Sequence, residues 1–597
     1  MGSPTTQANP LPLSCPGCGA PTQTVLPDEA GYYTSTRRGL KKLIKPAKVE
    51  EQKVLDAALQ KIGKRRAAKL GLQTMAGIEN GKYTQDSAPE VPICDRCHHL
   101  LHHRTGVSIA HPSLQSISDT INESPHKYNH IYHVLDAADF PLSLLPNLHK
   151  TLDAHLRSRG RRTQEYKYKK DKAIDMSFII TRSDLLAPRK EMVDSMMPIL
   201  LEILRDALGA TGENVRLGNV RCVSSKRGWW TKEVKESIWE RGGGGWLVGK
   251  ANVGKSNLFQ SVYPKGWHEE TPNFDRIRNE ARNQPFQLGV ESDALSSLEP
   301  LVAAKPECHA PSTFDDTLSL LPPAQPESKY PMMPIISELP GTTASPIRIP
   351  FGNGKGELID LPGLSRPTLE PYVKTENAFD IIMKKRVSPE RIVMKPSSSV
   401  LLGGGLIRIT PKTPDQIFML HAFVPLETHL TSTLKVEAIT AGERGMGINS
   451  VLKPECRHKI RSAGTFKLIT DVTRRYAGAL TRKDAVGLNP SRLPFIVYST
   501  DILIEGCGWV EIVAQVRKPK MWDRDALGEM LGETPPEAPF PEVEVFSPEG
   551  KFVGQRRTLG AWLLAGPREK KVGERKGRPR VSMGSVRKSR EGRGLGM

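Results

Sequence analysis

The 597-residue chain is long enough for about three or four domains and a large buried core. Its 85 Lys and Arg outnumber 65 Asp and Glu, and the formal net charge of +20 excludes an acid-rich solvating protein and favours an anionic partner such as nucleic acid, a ribosome or anionic lipid. Eight cysteines are too few for a disulfide scaffold, no stretch reaches the ~18 uninterrupted apolar residues of a membrane span, and 51 glycines with 48 prolines imply many loops.

Residues 1–14 hold no charged side chain and no apolar core, so they form neither a secretory signal nor an Arg-rich transit peptide. Cys15-Pro-Gly-Cys18 and Cys94-Asp-Arg-Cys97 follow as two C-x-x-C knuckles. Each presents two thiolates to one metal, and two pairs complete a closed four-cysteine zinc site. The link between them is longer than in a compact zinc ribbon, but loop closure costs rise only logarithmically with length. A redox C-x-x-C or a chance pairing are the alternatives. Zinc-type cysteine usage points to a reducing compartment. A basic run over 37–69, with a predicted basic helix at 47–70, fills the link. His98, His99, His102 and His103 read as a basic or RNA-facing helix start, since four thiolates already complete the metal site.

A buried-type strand at 176–180 ends in Thr181-Arg182-Ser183-Asp184, which has the shape of the guanine-recognition element N-K-x-D. Asp184 can accept from guanine N1 and N2, which adenine cannot offer, and the Arg182 stem can cover the base. Thr181 replaces the usual Asn, which puts the tie to the phosphate loop in question. A second strand, 220–223, leads to Ser224-Ser225-Lys226, which resembles the S-A-K loop behind the guanine. The strand 246–248 then precedes Gly249-Lys-Ala-Asn252-Val253-Gly254-Lys255-Ser256, a phosphate-loop pattern, with a helix expected over 256–263. Its backbone N–H groups, with Asn257 just beyond, would cradle phosphates; Lys255 would bridge β- and γ-phosphates and Ser256 would ligate Mg2+. The long Pro-rich segment about 265–333 reads as a disordered insert. Thr342 and Thr343, after Gly341, are candidates for the switch threonine on Mg2+, Thr343 being preferred. Asp360 ends the strand at 358–359 and would hold Mg2+, while the Gly363 N–H would sense the γ-phosphate.

The motifs therefore run base, base, phosphate, switch, switch. Alternating strands and helices imply an α/β, doubly wound, mostly parallel sheet, and this motif order implies a circularly permuted P-loop G domain whose second switch leads straight into the C-terminal half. Near the end, 568–593 carries eleven Lys and Arg against three acids and reads as a disordered polycation suited to phosphate backbones. Cys222, Cys308, Cys456 and Cys507 are assigned no site.

The knuckles, Asp136-Ala-Ala-Asp139-Phe140, T-R-S-D-L-L, N-V-G-K-S, P-G-T-T and D-L-P-G, together with 401–406 and 501–509, resemble the YqeH-type branch of circularly permuted GTPases, and most of all its fungal mitochondrial, prohibitin-interactor members. The likeness covers most of 15–515. It implies a mitochondrial matrix protein, in tension with the missing transit peptide, acting in small ribosomal subunit assembly with rRNA as partner and with a genetic link to lipid metabolism. Leu364 stands after the switch glycine, where Ras-like enzymes place a water-orienting Gln, so slow intrinsic hydrolysis is expected. Asn252 stands where related GTPases coordinate K+, so catalysis is expected to rest on Lys255, Asn252 and Thr343, with stimulation by K+ and the ribosome.

The expected layout is a four-cysteine zinc-knuckle module (1–110), the G domain (111–385), an α+β RNA- or ribosome-binding-type domain (386–565) and the basic tail (566–597). The expected function is that of a monomeric GTP-driven assembly switch using GTP, Mg2+, structural Zn2+ and K+. The alternatives are an RNA-binding scaffold with a weak or inactive nucleotide site and a lipid-metabolism factor, for which the sequence offers no catalytic constellation.

Overall fold

A computed structural model describes residues 11–34, 92–145, 148–152, 173–209, 219–265, 321–441, 449–480, 493–518 and 540–564, apart from isolated positions within these spans. The expected basic helix at 47–70, most of the insert, Cys308 and the tail from 566 lie outside the described residues.

The first strand of the central sheet, β1 (Tyr128–Asp136), is buried at every position after Tyr128. An uninterrupted buried strand of this kind needs cover on both faces, as in a parallel sheet between helices. Its neighbours are β2 (Ala173–Thr181) on one side and β4 (Gly243–Val248) on the other, both parallel to it. With β3 (Val220–Cys222), β5 (Ile347–Phe351) and β6 (Gly356–Asp360) they form a six-stranded sheet in the order β3-β2-β1-β4-β6-β5. Every pairing is parallel except that of β5, which is antiparallel to β6 at the edge. The strands expected at 176–180, 220–223, 246–248 and 358–359 thus all form.

One face packs on α3 (Lys190–Leu208), whose Val193, Met196, Leu200, Ile203 and Leu204 recur at helical spacing and join Phe178 and Ile180 in one core. The opposite side carries α4 (Thr231–Arg241) and α5 (Lys255–Val262), through Val234, Ile238, Leu258 and Phe259. Two shorter helices precede the sheet, α1 (Asp95–His102) and α2 (Leu114–Asn122). The end of the expected disordered insert is ordered: Gln325 N–H donates to the Arg348 carbonyl on β5 (3.2 Å), and Arg348 Nη1 donates to the Pro322 carbonyl (3.0 Å). Leu321 is buried in the core beside Ile117 and Ile121 of α2, which gives this stretch an apolar anchor that a purely polar insert lacks.

The C-terminal half, expected as α+β, is mainly antiparallel β-structure with two short α-helices among the described residues. β7 (Arg391–Met394), β10 (Phe418–Phe423), β13 (Thr470–Asp471), β14 (Phe495–Ile504), β15 (Gly508–Arg517) and β17 (Val553–Arg556) make one sheet. β8 (Ser398–Leu402), β9 (Ile407–Pro411), β11 (Thr428–Ser432), β12 (Ile460–Lys467) and β16 (Glu542–Pro548) make another. Val400, Ile407 and Ile409 of the second meet Phe418, Leu420 and Ile512 of the first in a shared core. Phe423, Leu503, Trp509 and Leu559 join the α3 core, so apolar packing crosses the boundary expected at 385. Polar contacts follow the same seam, where Arg556 Nη1 donates to the Phe140 carbonyl (2.5 Å) and Nε pairs with Asp501 (3.0 Å).

Candidate functional site: a two-lobed cleft at the strand ends

In parallel α/β sheets the crevice outside the carboxyl ends of the strands is the usual ligand position. Register places the ends of β1, β2, β4 and β6 along one edge, with Asp136 opposite Thr181 and Leu247 opposite Asp360. The 249–256 loop leaves β4 at this edge. A Cβ on Gly249 would lie 2.6 Å from the Val134 carbonyl oxygen, so only glycine lets the loop pass β1 so closely. Asn252 (φ 59°) and Gly254 (φ 87°) take left-handed conformations that turn the loop into α5.

Lys255 is buried, and its ammonium donates to the carbonyls of Gly249 (3.1 Å) and Lys250 (2.8 Å). Burial pulls its pKa down to about 8; Asp360 partly offsets this and Arg366 adds to it. At the end of β6, Asp360 Oδ2 accepts from Ser256 Oγ (2.8 Å) and Thr343 Oγ1 (3.2 Å), and the two hydroxyls lie 3.4 Å apart. Asp360 Oδ1 is buried without a hydrogen-bond partner, and burial raises the pKa of this carboxyl. Two hydroxyls and a carboxylate around an unsatisfied oxygen form a hard-oxygen set that fits a magnesium ion. Thr343 reaches this cluster, whereas Thr342 lines the cleft beside it.

Gly363 lies against the loop. A Cβ there would meet Ala251 Cα at 2.8 Å and Lys255 Nζ at 3.1 Å. Leu364 extends β6 alongside the loop, its N–H bonded to the Gly249 carbonyl and its carbonyl accepting from Ala251 N–H. Its side chain is buried with Ile359, Val248 and Leu361.

At the other end, the Thr181 hydroxyl lies 2.6 Å from the Val253 carbonyl and 3.0 Å from that of Leu135. Threonine thus keeps the tie between β2 and the loop that the sequence put in question. Arg182, with φ 54°, lines the cavity with its head group held in place. Its guanidinium is pinned by Asp136 and by the Met383 carbonyl (3.2 Å), and burial lowers its pKa to about 9. Asp184 accepts from Ser224 Oγ (2.7 Å). Ser224 is therefore a buried support, while Ser225 and Lys226 line the cavity and Lys226 Nζ donates to the Lys384 carbonyl (3.1 Å).

The cavity at this end measures about 390 Å³ and is lined by Thr181, Arg182, Asp184, Ser225 and Lys226. A smaller one of about 60 Å³ adjoins Lys255, Ser256, Thr343 and Gly363. Asn252, Gly254 and Asn257 line both, which makes them two lobes of one cleft.

Sequence reasoning missed the far wall of the larger lobe. Arg366, 367–370, 378–379, 381–384 and the β14–β15 turn Glu505-Gly506-Cys507 complete it. Arg366 is buried and pairs with Asp139, with Asp136 (3.7 Å) and with Glu505 (3.8 Å). Gly506 N–H donates to Asp139 (3.0 Å), and Lys250 bridges from the loop to Glu505 (3.4 Å) and the Leu142 carbonyl (2.7 Å). The signal lay in Asp136-Ala-Ala-Asp139, because two acids closing an apolar strand need buried cations nearby.

The four cysteines form a second constellation. Cys15, Cys18, Cys94 and Cys97 are all buried, and their sulfurs lie within 4.8 Å of one another. Cys15–Cys97 and Cys18–Cys94 are 3.8 Å apart, matching the edge of a tetrahedron with ~2.3 Å zinc–sulfur bonds. The set is able to hold zinc. Hydrogen bonding among the thiols holds Cys15 low and pushes Cys97 up, as expected of groups that share their protons. The four histidines ride on and just beyond α1 outside this set, with the His98 and His102 rings 4.4 Å apart.

Among the described residues no helix is long and apolar enough to cross a membrane. No family model matches the chain. It is 26% identical over 263 residues to "Genetic interactor of prohibitins 3, mitochondrial" of Kluyveromyces lactis, a match covering 44% of this chain and 40% of that protein. The chain is thus a distant relative of that yeast protein and aligns with less than half of its length.

Proposed function

We propose that the cleft binds GTP with Mg2+ and hydrolyses it, and that the protein is a circularly permuted GTPase of the YqeH type. The observation that carries this reading is one cleft with Lys255, Ser256, Thr343 and Asp360 at one end and Asp184, Ser225 and Lys226 at the other. Phosphates entering the small lobe would compete with the two carbonyls for the Lys255 ammonium. Ser256, Thr343 and Asp360 would hold Mg2+, which neutralises charge on the phosphates when bound. The Asp184 carboxylate, oriented by Ser224, would select guanine.

The setting we propose is the mitochondrion, from the yeast relative's name, and a role in small ribosomal subunit assembly, from the likeness in motifs and the +20 charge. Labelled GTP and ATP binding, compared in wild type and Lys255→Ala, tests the site: GTP preference lost in the variant supports it. Equal weak binding of both nucleotides would favour the second reading, an RNA-binding scaffold. That reading draws on Leu364, whose side chain is committed to the core. Turnover that is identical in Na+ and K+ would remove the role given to Asn252. Co-sedimentation with small mitochondrial subunits tests the partner.

A further inference from the structure

Among the described residues between 331 and 346, the segment that carries Thr343 has no helix or strand of its own. Backbone without a ladder must be fixed by its neighbours, and most of those neighbours belong to the four-cysteine module. The Gly17 carbonyl accepts from Ile335 N–H (3.0 Å), and the Cys18 carbonyl accepts from Ala344 N–H (2.8 Å) and Ser345 N–H (3.2 Å). Two successive carbonyls of the first knuckle therefore grip both ends of 335–345. The Ile335 and Ala344 side chains pack against the cysteine cluster. Gly19 has φ 77°, and a Cβ there would lie 2.3 Å from the Ser345 carbonyl oxygen, so a larger residue would push the segment off.

The second knuckle holds the middle. Arg96 stands between Cys94 and Cys97 and is buried. Its Nη2 donates to the Gly341 carbonyl (2.6 Å), two residues before Thr343, and its Nε donates to the Val107 carbonyl (2.9 Å). Outside the module, the Gln260 side chain also holds the Pro334 carbonyl (2.7 Å). Thr343 completes the chain of contacts through Asp360 and Ser256.

We infer that the four-cysteine module is the clamp that presets Thr343, and that Arg96 is the positioning residue linking a metal in the module to the magnesium corner of the cleft. The inference rests on the reading of that corner as a Mg2+–nucleotide site. The cysteines are not joined by disulfides, so a bound metal would add the direct cross-link between 15–18 and 94–97 to hydrogen bonds such as Asp95 N–H to the Tyr32 carbonyl (2.9 Å) and Tyr33 Oη–H to the Pro92 carbonyl (2.9 Å). Fixing the two knuckles fixes three carbonyl or guanidinium anchors along 335–345. Thr343 is then already ordered before Mg2+ arrives, and the two metal sites are thermodynamically linked.

The test uses the full-length protein. Arg96→Ala and Arg96→Lys are compared with wild type for zinc content, for affinity toward a non-hydrolysable GTP analogue across a Mg2+ titration, and for GDP affinity without Mg2+. Arg96→Ala is expected to keep its zinc and its Mg2+-free GDP affinity but to lose roughly tenfold of the Mg2+-dependent analogue affinity, with Arg96→Lys in between. Arg96→Ala that keeps zinc and the wild-type Mg2+ dependence overturns the inference. A second arm needs no nucleotide: a zinc-selective chelator that spares Mg2+ should expose 335–345 to limited proteolysis. Unchanged cleavage after zinc is stripped also overturns it. Wild type that binds no GTP analogue yet shows zinc-dependent protection of 335–345 would instead refute the nucleotide reading and leave the clamp standing.

Discussion

The two lobes of the cleft are built in opposite ways. The smaller, of about 60 Å³, draws on loops that leave adjacent strands, and its polar groups already bond to one another: Lys255 to two carbonyls, Ser256 and Thr343 to Asp360. The larger, of about 390 Å³, is a composite of β2, the β3 loop and a wall supplied by 366–370, 378–379, 381–384 and 505–507. The first is a preformed local device, in which ligand atoms replace contacts between side chains and backbone. The second depends on how the antiparallel half sits on the parallel sheet. On the proposed reading, charge recognition and base selection should therefore fail independently.

Substitutions should separate the two. Lys255→Ala should cost the most, roughly a thousandfold in GTP affinity, because it removes the buried charge at the phosphate end. Isothermal titration would show a loss of the same size for any nucleoside triphosphate that the wild type binds. Asp184→Ala should weaken GTP roughly a hundredfold while leaving ATP unchanged, since only the guanine edge loses its acceptor. A proportional loss of both nucleotides would place Asp184 in structural support and break the division between lobes.

A pH titration sharpens the contrast. The Lys255 ammonium has its pKa lowered to about 8, chiefly by burial. Above that value Lys255 of the free protein is neutral and must take up a proton to hold phosphate. Affinity should then fall by roughly tenfold per pH unit above about 8 in wild type, and stay flat in Lys255→Arg. The smallest effect belongs to the seam between lobes. Thr181→Val deprives the Val253 and Leu135 carbonyls of their hydroxyl donor and should cost about 1 kcal/mol of stability, with a several-fold loss in GTP affinity. A melting curve and the same titration would check it; Thr181→Asn should restore affinity if the tie is what matters.

Legibility in the sequence followed the same division. The phosphate end was readable because its parts are contiguous: a strand, a glycine-rich turn, a lysine and a helix start within 246–263, then an acid at the end of an apolar strand. The set of four cysteines was readable because two knuckles specify a tetrahedron regardless of the chain between them. At the other end, Asp184 and the Arg182 stem were read from T-R-S-D, but the pairing of the Arg182 guanidinium with Asp136 was not, because Asp136 lies on another strand and spacing does not carry that pairing. Arg366 and the ion pairs it makes with Glu505 were not legible, since they depend on packing between distant segments. The ordered stretch 321–328 was missed because proline-rich composition hides a single anchoring leucine at position 321.

The strand order has a consequence for how the molecule is made. β1 is synthesised first; β2 and β3 add outward on one side, and β4 and then the β5–β6 pair add outward on the other. Among the described strands none has to wedge between two that are already paired, so each meets an open edge as it emerges. The sheet can be assembled from its centre during translation, with the arm carrying Asp184 in place before the lysine loop has been made. Contacts from the antiparallel half close the cleft last, so a chain stopped short of β14 would expose the large lobe rather than lose the sheet.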